Sequence, residues 1–261
     1  MKTCHYSIYR CLTMIVIFLF CSSGIAQKTI DLSEAAVSLW GSCIENDPWP
    51  LADDSISWYA SGFIFDQDNN FIYLLTCPSA LGLELIEDAD HDVIGLERLQ
   101  IRNYSLHVAL PNTYAEVTGF SYDRGLGVVV LRIRNLGYLN EFEIIDIDSI
   151  PSYRNQDVVV AVGKPLTLPI STKFCRISAV DGYGDHPETN WMSDYIIIDQ
   201  PISKGMEGGP LFVEINEITY GCIGILDIPY LGDNNFGYAR PVPRGNLTDD
   251  DEFEAANSLS I

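Results

Sequence analysis

The hydrophobic residues of this chain fall in short runs that are rich in Val, Ile, Tyr and Phe and are bounded by clusters of Gly, Pro, Asn and Asp. Such runs are typical of β-strands. Beyond residue 26, no long stretch has the three- to four-residue hydrophobic repeat of an amphipathic helix. The pattern therefore predicts an all-β barrel or sandwich. The predicted strands are Ala36–Trp40, Ser57–Phe65, Phe71–Thr76, Ser105–Leu110, Tyr114–Phe120, Val128–Ile133, Val158–Val162, Phe174–Val180, Tyr195–Asp199, Pro210–Glu214, Thr219–Leu226 and Phe236–Val242.

The first 26 residues have a different pattern. Lys2 and Arg10 precede an almost wholly apolar run from Leu12 to Cys21, and the small residues of Ser22–Ala26 follow it. A positive start, an apolar run and small residues at the end are typical of a cleaved secretory signal. The run is shorter than the ~18 residues that a membrane-spanning helix needs. We therefore expect residues 1–26 to be removed and the protein to be secreted, or held in the lumen of the secretory pathway.

The charge of the chain limits the partners that it can have. Its formal net charge is −21 at pH 7, which argues against binding to nucleic acid or an anionic membrane through a basic face. A basic protein partner remains compatible with it. The acidic block Asp249–Glu252 follows the last predicted strand and is expected to be a solvated, mobile end.

No metal or cofactor is expected. The loop at 84–99 contains Asp88, Asp90 and Asp92, but it lacks the Gly and the Glu that a calcium loop requires. No two histidines have the spacing of zinc ligands. We interpret this loop as a hydrated acidic loop.

Cysteines and glycosylation sequons matter because the chain is expected to be secreted. Four cysteines lie beyond the predicted signal: Cys43, Cys77, Cys175 and Cys222. In an oxidising compartment they can form two disulfides in three ways. Our first hypothesis pairs Cys43 with Cys77 and Cys175 with Cys222, and four buried thiols are the alternative. Asn103 and Asn246 begin candidate glycosylation sequons.

One loop points to a particular family. The segment Gly205-Met206-Glu207-Gly208-Gly209-Pro210-Leu211 resembles the Gly-x-Ser-Gly-Gly-Pro-Leu nucleophile loop of serine peptidases, with glutamate where the serine stands. From about residue 33 to 245 the chain resembles the trypsin-like peptidase domain of the Deg/HtrA family. The resemblance implies two six-stranded antiparallel β-barrels packed side by side, with no PDZ module after them. It divides the chain into a peptidase-homology domain at 27–245 (barrel one about 33–145, barrel two about 150–245) and an acidic tail at 246–261, and it makes residues 134–157 the connection between the barrels.

The same resemblance implies that the whole catalytic triad has been replaced. In the family, a histidine takes the proton of the nucleophilic serine, and an aspartate orients that histidine. The histidine position corresponds to Ser79 in Leu75-Thr76-Cys77-Pro78-Ser79, and the aspartate position corresponds to Gly127 in Gly127–Ile133. Glu207 takes the place of the serine, and a carboxylate has no hydroxyl proton to give up. None of Ser79, Gly127 and Glu207 can perform the chemistry of the residue it replaces.

The resemblance also bears on where the side chain of Glu207 lies. In an active relative, the main-chain N–H groups matching Gly205 and Glu207 would stabilise the developing oxyanion. The Glu207 carboxylate either folds back on this oxyanion hole and closes it, or projects into the cleft as an anionic recognition group; simple drift in an exposed loop is the alternative to both. In the first arrangement, we expect its charge to stabilise the loop at neutral pH.

These observations predict a secreted, catalytically inactive peptidase homologue that acts by binding or regulating a protein or an extended peptide. The main alternative is an active hydrolase of the same fold with a non-standard constellation that uses Glu207 or His186. A structural or storage-like secreted protein is a further alternative. His107 matches no catalytic position of the family, and Asp123 lies in a turn, where Asp commonly serves the backbone.

Overall fold

The computed structural model describes residues 31–32, 34–45, 54–82, 101–110, 113–123, 126–137, 143–164, 169–183, 194–216, 219–228, 235–244, 247–248 and 253–255. Within these ranges the protein consists of strands and one short 3-10 helix, Pro78–Leu81. The strands are β1 (Val37–Glu45), β2 (Asp54–Gln67), β3 (Phe71–Thr76), β4 (Ile101–Leu110), β5 (Thr113–Asp123), β6 (Val128–Arg134), β7 (Val158–Gly163), β8 (Ser171–Tyr183), β9 (Asp194–Ile198), β10 (Pro210–Asn216), β11 (Thr219–Asp227), β12 (Gly237–Pro241) and β13 (Glu254–Ala255). The described residues contain no helix that is long and apolar enough to cross a membrane.

Barrel one is formed by β1–β6. Its antiparallel strands follow the order β5-β4-β1-β2-β3-β6, and pairing of β5 with β6 closes the ring. Strand pleating places alternate residues inside, so that Leu39, Leu106 and Val108 are buried in its core while Trp40 and His107 stack on the outer face with ring centroids 4.4 Å apart. The predicted strands of this half are confirmed, with ends extended by a few residues.

Barrel two is formed by β7–β12 in the closed order β10-β11-β12-β9-β8-β7. Its core contains Val159, Ile177, Ile196, Leu211 and Ile223. The sequence-based prediction of two six-stranded antiparallel barrels is confirmed.

The two barrels meet across a shared apolar cluster, which positions the candidate site. Phe63 and Leu75 contribute to it from barrel one, and Val160, Val162 and Phe212 contribute from barrel two. All five side chains are fully buried. The described parts of the connection between β6 and β7 have no strand, and Ile145 within it is buried in the same cluster and donates its N–H to Ile64 O at 2.9 Å.

The structure does not show the disulfides of our first hypothesis. Cys43, Cys77, Cys175 and Cys222 are all buried thiols. The hypothetical partners lie in different parts of the interior: Cys43 in the core of barrel one and Cys77 in the inter-barrel cluster, Cys175 in the core of barrel two and Cys222 in the inter-barrel cluster. Burial raises the pKa of Cys175 to about 11 and that of Cys222 to about 12. They pack as small apolar side chains.

The acidic tail differs in part from the solvated end that the sequence predicts. Glu254 and Ala255 form β13, which pairs antiparallel with Phe120 and Gly119 of β5. Phe253, just before this strand, is half-buried against the inter-barrel cluster. The segment is thus docked by an apolar side chain and by strand pairing.

Candidate functional site

The loop between β9 and β10 has a main chain that depends on glycine. Gly205 and Gly208 have φ angles of 89° and 84°, which L-residues with a side chain rarely adopt. A Cβ atom at Gly208 would also overlap Ser61 O and Thr76 Oγ1. Two turn hydrogen bonds complete the loop, from Met206 N to Ser203 O at 2.9 Å and from Gly209 N to Met206 O at 3.0 Å. We call residues 205–209 the Glu207 loop.

Both barrels hold the Glu207 loop in place. From barrel one, Ser61 N donates to Glu207 O at 2.7 Å, and Ser61 Oγ donates to Gly205 O at 2.6 Å. From barrel two, Gly208 N donates to Leu226 O at 2.7 Å, and Leu226 N donates to Gly209 O at 2.8 Å. Because Ser61 is fully buried, these bonds have little competition from water, and the shape of the loop is set by its surroundings.

The Glu207 side chain folds back on its own loop. Its Oε2 accepts a hydrogen bond from Gly205 N, and the carboxylate also lies close enough to its own main-chain N–H to be affected by it. The residue is only 8% exposed. Burial raises the pKa of Glu207, although the N–H groups of Glu207 and Gly205 and the charge of Lys204 oppose this effect. Of the arrangements expected for Glu207, the structure has the one in which the carboxylate occupies the main-chain donors.

Gly127 lies just before β6, in a turn where the end of the Arg240 side chain takes the space of a Cβ atom. Its φ is 61°, and its N–H donates to Asp123 O at 2.7 Å. A Cβ atom at this position would overlap Nη1 and Cζ of Arg240. The guanidinium of Arg240 therefore takes the space beside the position that the family resemblance gives to the triad aspartate.

Arg240 belongs to a buried polar group that sequence reasoning missed. Its Nε lies 2.6 Å from Asp227 Oδ2 in an ion pair, and Tyr195 donates its hydroxyl to the same oxygen at 3.1 Å. The Arg240 guanidinium carbon also lies 4.9 Å from the centroid of the Tyr195 ring. Despite the opposing effect of burial, the negative charge of Asp227 raises the pKa of Arg240. We call Arg240, Asp227 and Tyr195 the Arg240 cluster. The feature of the sequence that could have indicated it is a pair of opposite charges near the ends of otherwise apolar strands.

Ser79 lies in the 3-10 helix that follows β3, where it is half-buried. Its hydroxyl is 2.8 Å from the thiol of Cys77. The N–H of Cys77 is close to Gly208, which places this helix next to the Glu207 loop. Neither a hydroxyl nor the buried Cys77 thiol can act as a general base near neutral pH.

The three proposed triad positions are therefore neighbours at the junction of the barrels. Cys77 links the segment of Ser79 to the Glu207 loop, and Asp227 follows Leu226, which is bonded to that loop. Arg240 then joins Asp227 to Gly127. This proximity agrees with the alignment to the family, and the assignment of these residues as triad positions stays a prediction.

Of the other candidates, those that the structure describes, His107 and Asp123, add no catalytic group to this junction. His107 is on the outer face of barrel one, against Trp40. Asp123 accepts a hydrogen bond from Leu126 N at 3.0 Å, which is the turn role that the sequence predicts. His186, Asn246 and the loop at 84–99 lie outside the described residues, and of Asn103 only the backbone, in β4, is described.

Comparison with known proteins gives the family. The family model described as "Trypsin-like peptidase domain" matches residues 60–219. The chain belongs to this family. Its fold is similar to the crystal structure of the Rv3671c protease from M. tuberculosis in its active form, with a TM-score of 0.52 and 17% identity over 80% of this chain and 77% of that one. It is also similar to the crystal structure of Deg5, with a TM-score of 0.53 and 18% identity over 80% of this chain and 84% of that one.

No curated protein sequence matches the chain. The recognition of a trypsin-like domain with the fold of Deg/HtrA-type proteases is confirmed. At the positions that the family resemblance assigns to the nucleophile, the base and the acid, the described residues place a buried Glu207, the hydroxyl of Ser79, and Gly127 with the guanidinium of Arg240 beside it.

Proposed function

We propose that this trypsin-like domain is a catalytically inactive peptidase homologue that acts by binding a protein or an extended peptide. One observation supports this most strongly: the Glu207 carboxylate accepts the Gly205 N–H, one of the two donors expected at the oxyanion hole. A substrate carbonyl oxygen that entered the hole would have to compete with the Glu207 carboxyl group for this donor. Acyl transfer needs these donors directed at a developing oxyanion.

The remaining parts of the junction support the same proposal. Ser79 cannot take a proton from a nucleophile, and Gly127 has no side chain that could orient an imidazole. The Arg240 guanidinium beside Gly127 would favour an anion, and its own partner is the buried carboxylate of Asp227. Loss of a single triad member already lowers the rate by orders of magnitude. In this protein, none of the three positions carries a group that can act as the nucleophile, the general base or the orienting acid.

Binding is the function that this scaffold can retain. A cleft between two barrels can hold an extended peptide by strand addition, in which main-chain hydrogen bonds give affinity and side-chain pockets give specificity. The net charge of −21 favours a partner with basic segments. The protein would meet this partner after secretion, with residues 1–26 removed and with glycans on Asn103 and Asn246.

Activity measurements test the proposal. The purified protein should neither react with a serine-directed phosphonate probe nor cleave a broad panel of peptides. A catalytically competent trypsin-like protease, labelled in parallel, shows that the probe and the panel work. Turnover that remains after purification and disappears in Glu207→Ala or His186→Ala would overturn the proposal in favour of an active hydrolase with a non-standard constellation.

A further inference from the structure

The edge of β5 that β13 covers is left open by the rest of barrel one. On one side, β5 pairs with β6 from Val117 to Asp123. On its other side, β4 pairs with β5 only from Thr113 to Glu116. Beyond Glu116, no strand among the described residues of barrel one is paired with this second edge. Because Gly119 and Phe120 already face β6, β13 adds to this second edge.

An aromatic anchor accompanies the strand pairing. The guanidinium carbon of Arg132 lies 4.7 Å from the centroid of the Phe253 ring and 4.5 Å from that of Phe71, so the cation is in contact with two phenyl rings. The Phe253 ring also packs against Tyr73 at 5.9 Å. A cation between two aromatic faces favours a phenyl group at this position. The pocket beside the β5 edge is thus built for an aromatic side chain.

We propose that the β5 edge with its Phe71–Tyr73–Arg132 pocket is a second peptide-binding site, which the chain's own tail occupies. Its ligand is an extended segment of another protein that carries a phenylalanine among acidic residues. Strand addition to an exposed sheet edge is a common mode of peptide recognition. The site uses residues outside the Glu207 loop, so it goes beyond the binding function proposed above.

Another peptide can replace the tail in this site, because the strand of the tail is short and its binding depends on its attachment to the chain. Within the described residues, β13 pairs through two residues, Glu254 and Ala255, and a strand of that length has little stability of its own. The tail gains its occupancy from attachment to the chain, since a tethered segment has an effective concentration on the order of millimolar. The acidic run Asp249–Glu252 directly precedes Phe253 in the sequence, and β6 carries the basic residues Arg132 and Arg134 in a strongly acidic protein. We therefore expect the ligand to carry acidic residues next to its phenylalanine.

Binding in trans tests the proposal. A fluorescent peptide with the sequence of residues 247–257 is titrated into the wild-type protein and into Phe253→Ala, with fluorescence anisotropy as the readout. We expect at least tenfold tighter binding to Phe253→Ala, because the weakened tail leaves the edge open. Phe174→Ala is the matched control, since Phe174 is an exposed phenylalanine on barrel two, and it should behave as the wild type. Equal binding by all three proteins would overturn the proposal.

Variants of the peptide test the two parts of the site separately. Replacing the peptide's phenylalanine by alanine should weaken binding to the Phe253→Ala protein at least tenfold, and so should N-methylation of both residues that match Glu254 and Ala255. N-methyl peptides that bind as well as the parent would show that no strand is added, and the proposal would be wrong. If Phe253→Ala does not fold, millimolar unlabelled peptide is titrated into the wild type. In an NMR titration, saturable chemical-shift changes of the Gly119 and Phe120 amide signals would support the site, and unchanged signals would overturn it.

Discussion

The Glu207 loop and the turn at Gly127 lie at the same junction, but they differ in how much structure surrounds the missing chemical group. The Glu207 loop has the glycine-dependent main chain of a nucleophile loop and is bonded to both barrels. At Gly127 the space for a side chain is filled by the guanidinium of Arg240, which is paired with Asp227. On the assignment that the family resemblance gives, the first region carries a different side chain on the frame of a nucleophile loop, and the second has an ion pair next to the position of the acid.

This difference has a physical reason. The shape of the Glu207 loop is set by buried main-chain hydrogen bonds, so the side chain at 207 can change while the frame stays. A triad aspartate is held by its own side-chain contacts. If Gly127 stands at that position, as the family resemblance predicts, the space of the aspartate must be filled by another group, because protein interiors are close-packed. The Arg240 guanidinium lies in that space, and its charge is paired with Asp227.

The largest expected effect comes from the frame of the Glu207 loop. Gly208→Ala should lower the free energy of unfolding by about 3 kcal/mol or more, because the new Cβ would overlap Ser61 O and Thr76 Oγ1 at a φ of 84°. Gly137→Ala is a matched control with a similar φ of 86° and no atom of the described residues within 4 Å of its Cβ position. It should cost only about 1 kcal/mol. Urea unfolding of both variants measures the difference, and equal losses would mean that contacts with barrel one do not fix the loop.

The Arg240 cluster should give the next largest effect. Arg240→Met leaves the Asp227 carboxylate buried without its cation and should cost about 3 kcal/mol. Arg154→Met is the control, because the Arg154–Asp157 pair is at the surface, with side chains 88% and 28% exposed, and should cost less than about 1 kcal/mol.

A double variant separates charge from packing in the Arg240 cluster. Asp227→Asn with Arg240→Met removes both charges and keeps an oxygen that can accept from the Tyr195 hydroxyl. It should recover most of the stability lost in Arg240→Met. If Arg240→Met alone is no worse than Arg154→Met, the ion pair does not stabilise the junction.

Restoring the triad tests the junction through catalytic activity instead of stability, and the activity that we expect to gain is small. The variant Ser79→His, Gly127→Asp, Glu207→Ser should remain inactive, because Arg240 would pair with the new aspartate and hold it away from the histidine. Adding Asp227→Asn and Arg240→Met removes this competition and should give slow ester hydrolysis. A chromogenic ester assay compares the two proteins. Equal activity with and without the two added substitutions would mean that Arg240 does not occupy the acid position.

The fold could be predicted from the sequence because its signals are local. The predicted runs became β1–β12, and their ends differ from the prediction by a few residues. The strand β13 was missed because a two-residue strand in an acidic tail has no hydrophobic pattern. The sequence did not decide between disulfides and buried thiols, because the distribution of cysteines between the two halves of the chain does not tell which apolar cluster each side chain enters.

The site could be predicted only in part. The loop around Glu207 has a specific pattern, and the positions of Ser79 and Gly127 followed from the family resemblance. The Arg240 cluster depends on contacts between residues far apart in the chain, such as Arg240 with the turn at Gly127. These contacts form only when β11 and β12 of barrel two meet the end of β5 in barrel one, and no local pattern records them.

The smallest expected effect tests the charge of Glu207 itself. The sequence alone suggested that this charge stabilises the loop at neutral pH. Burial predicts the opposite, that the charge of Glu207 destabilises the folded protein. It raises the pKa of Glu207 above the ordinary value of 4.5, even with the N–H groups of Glu207 and Gly205 acting against it. The folded protein therefore binds a proton that the unfolded chain has already lost. Stability then falls as pH rises from about 4.5 through the pKa of the folded state, and it stays lower at neutral pH.

Glu207→Gln cannot titrate at this position, and its side-chain carbonyl can still accept from Gly205 N. At pH 7 the Gln variant should thus be more stable than the wild type, by an amount on the order of 1 kcal/mol. Below about pH 4.5 both proteins carry a neutral side chain at 207, and the difference should vanish. Urea unfolding of both proteins at several pH values between 4 and 7.5 measures this. Glu214→Gln, a half-buried glutamate on β10, is the control for a general charge effect in an acidic protein. A wild type that is more stable than Glu207→Gln at pH 7 would mean that the main-chain donors outweigh burial and that the loop is held closed by an ionised Glu207.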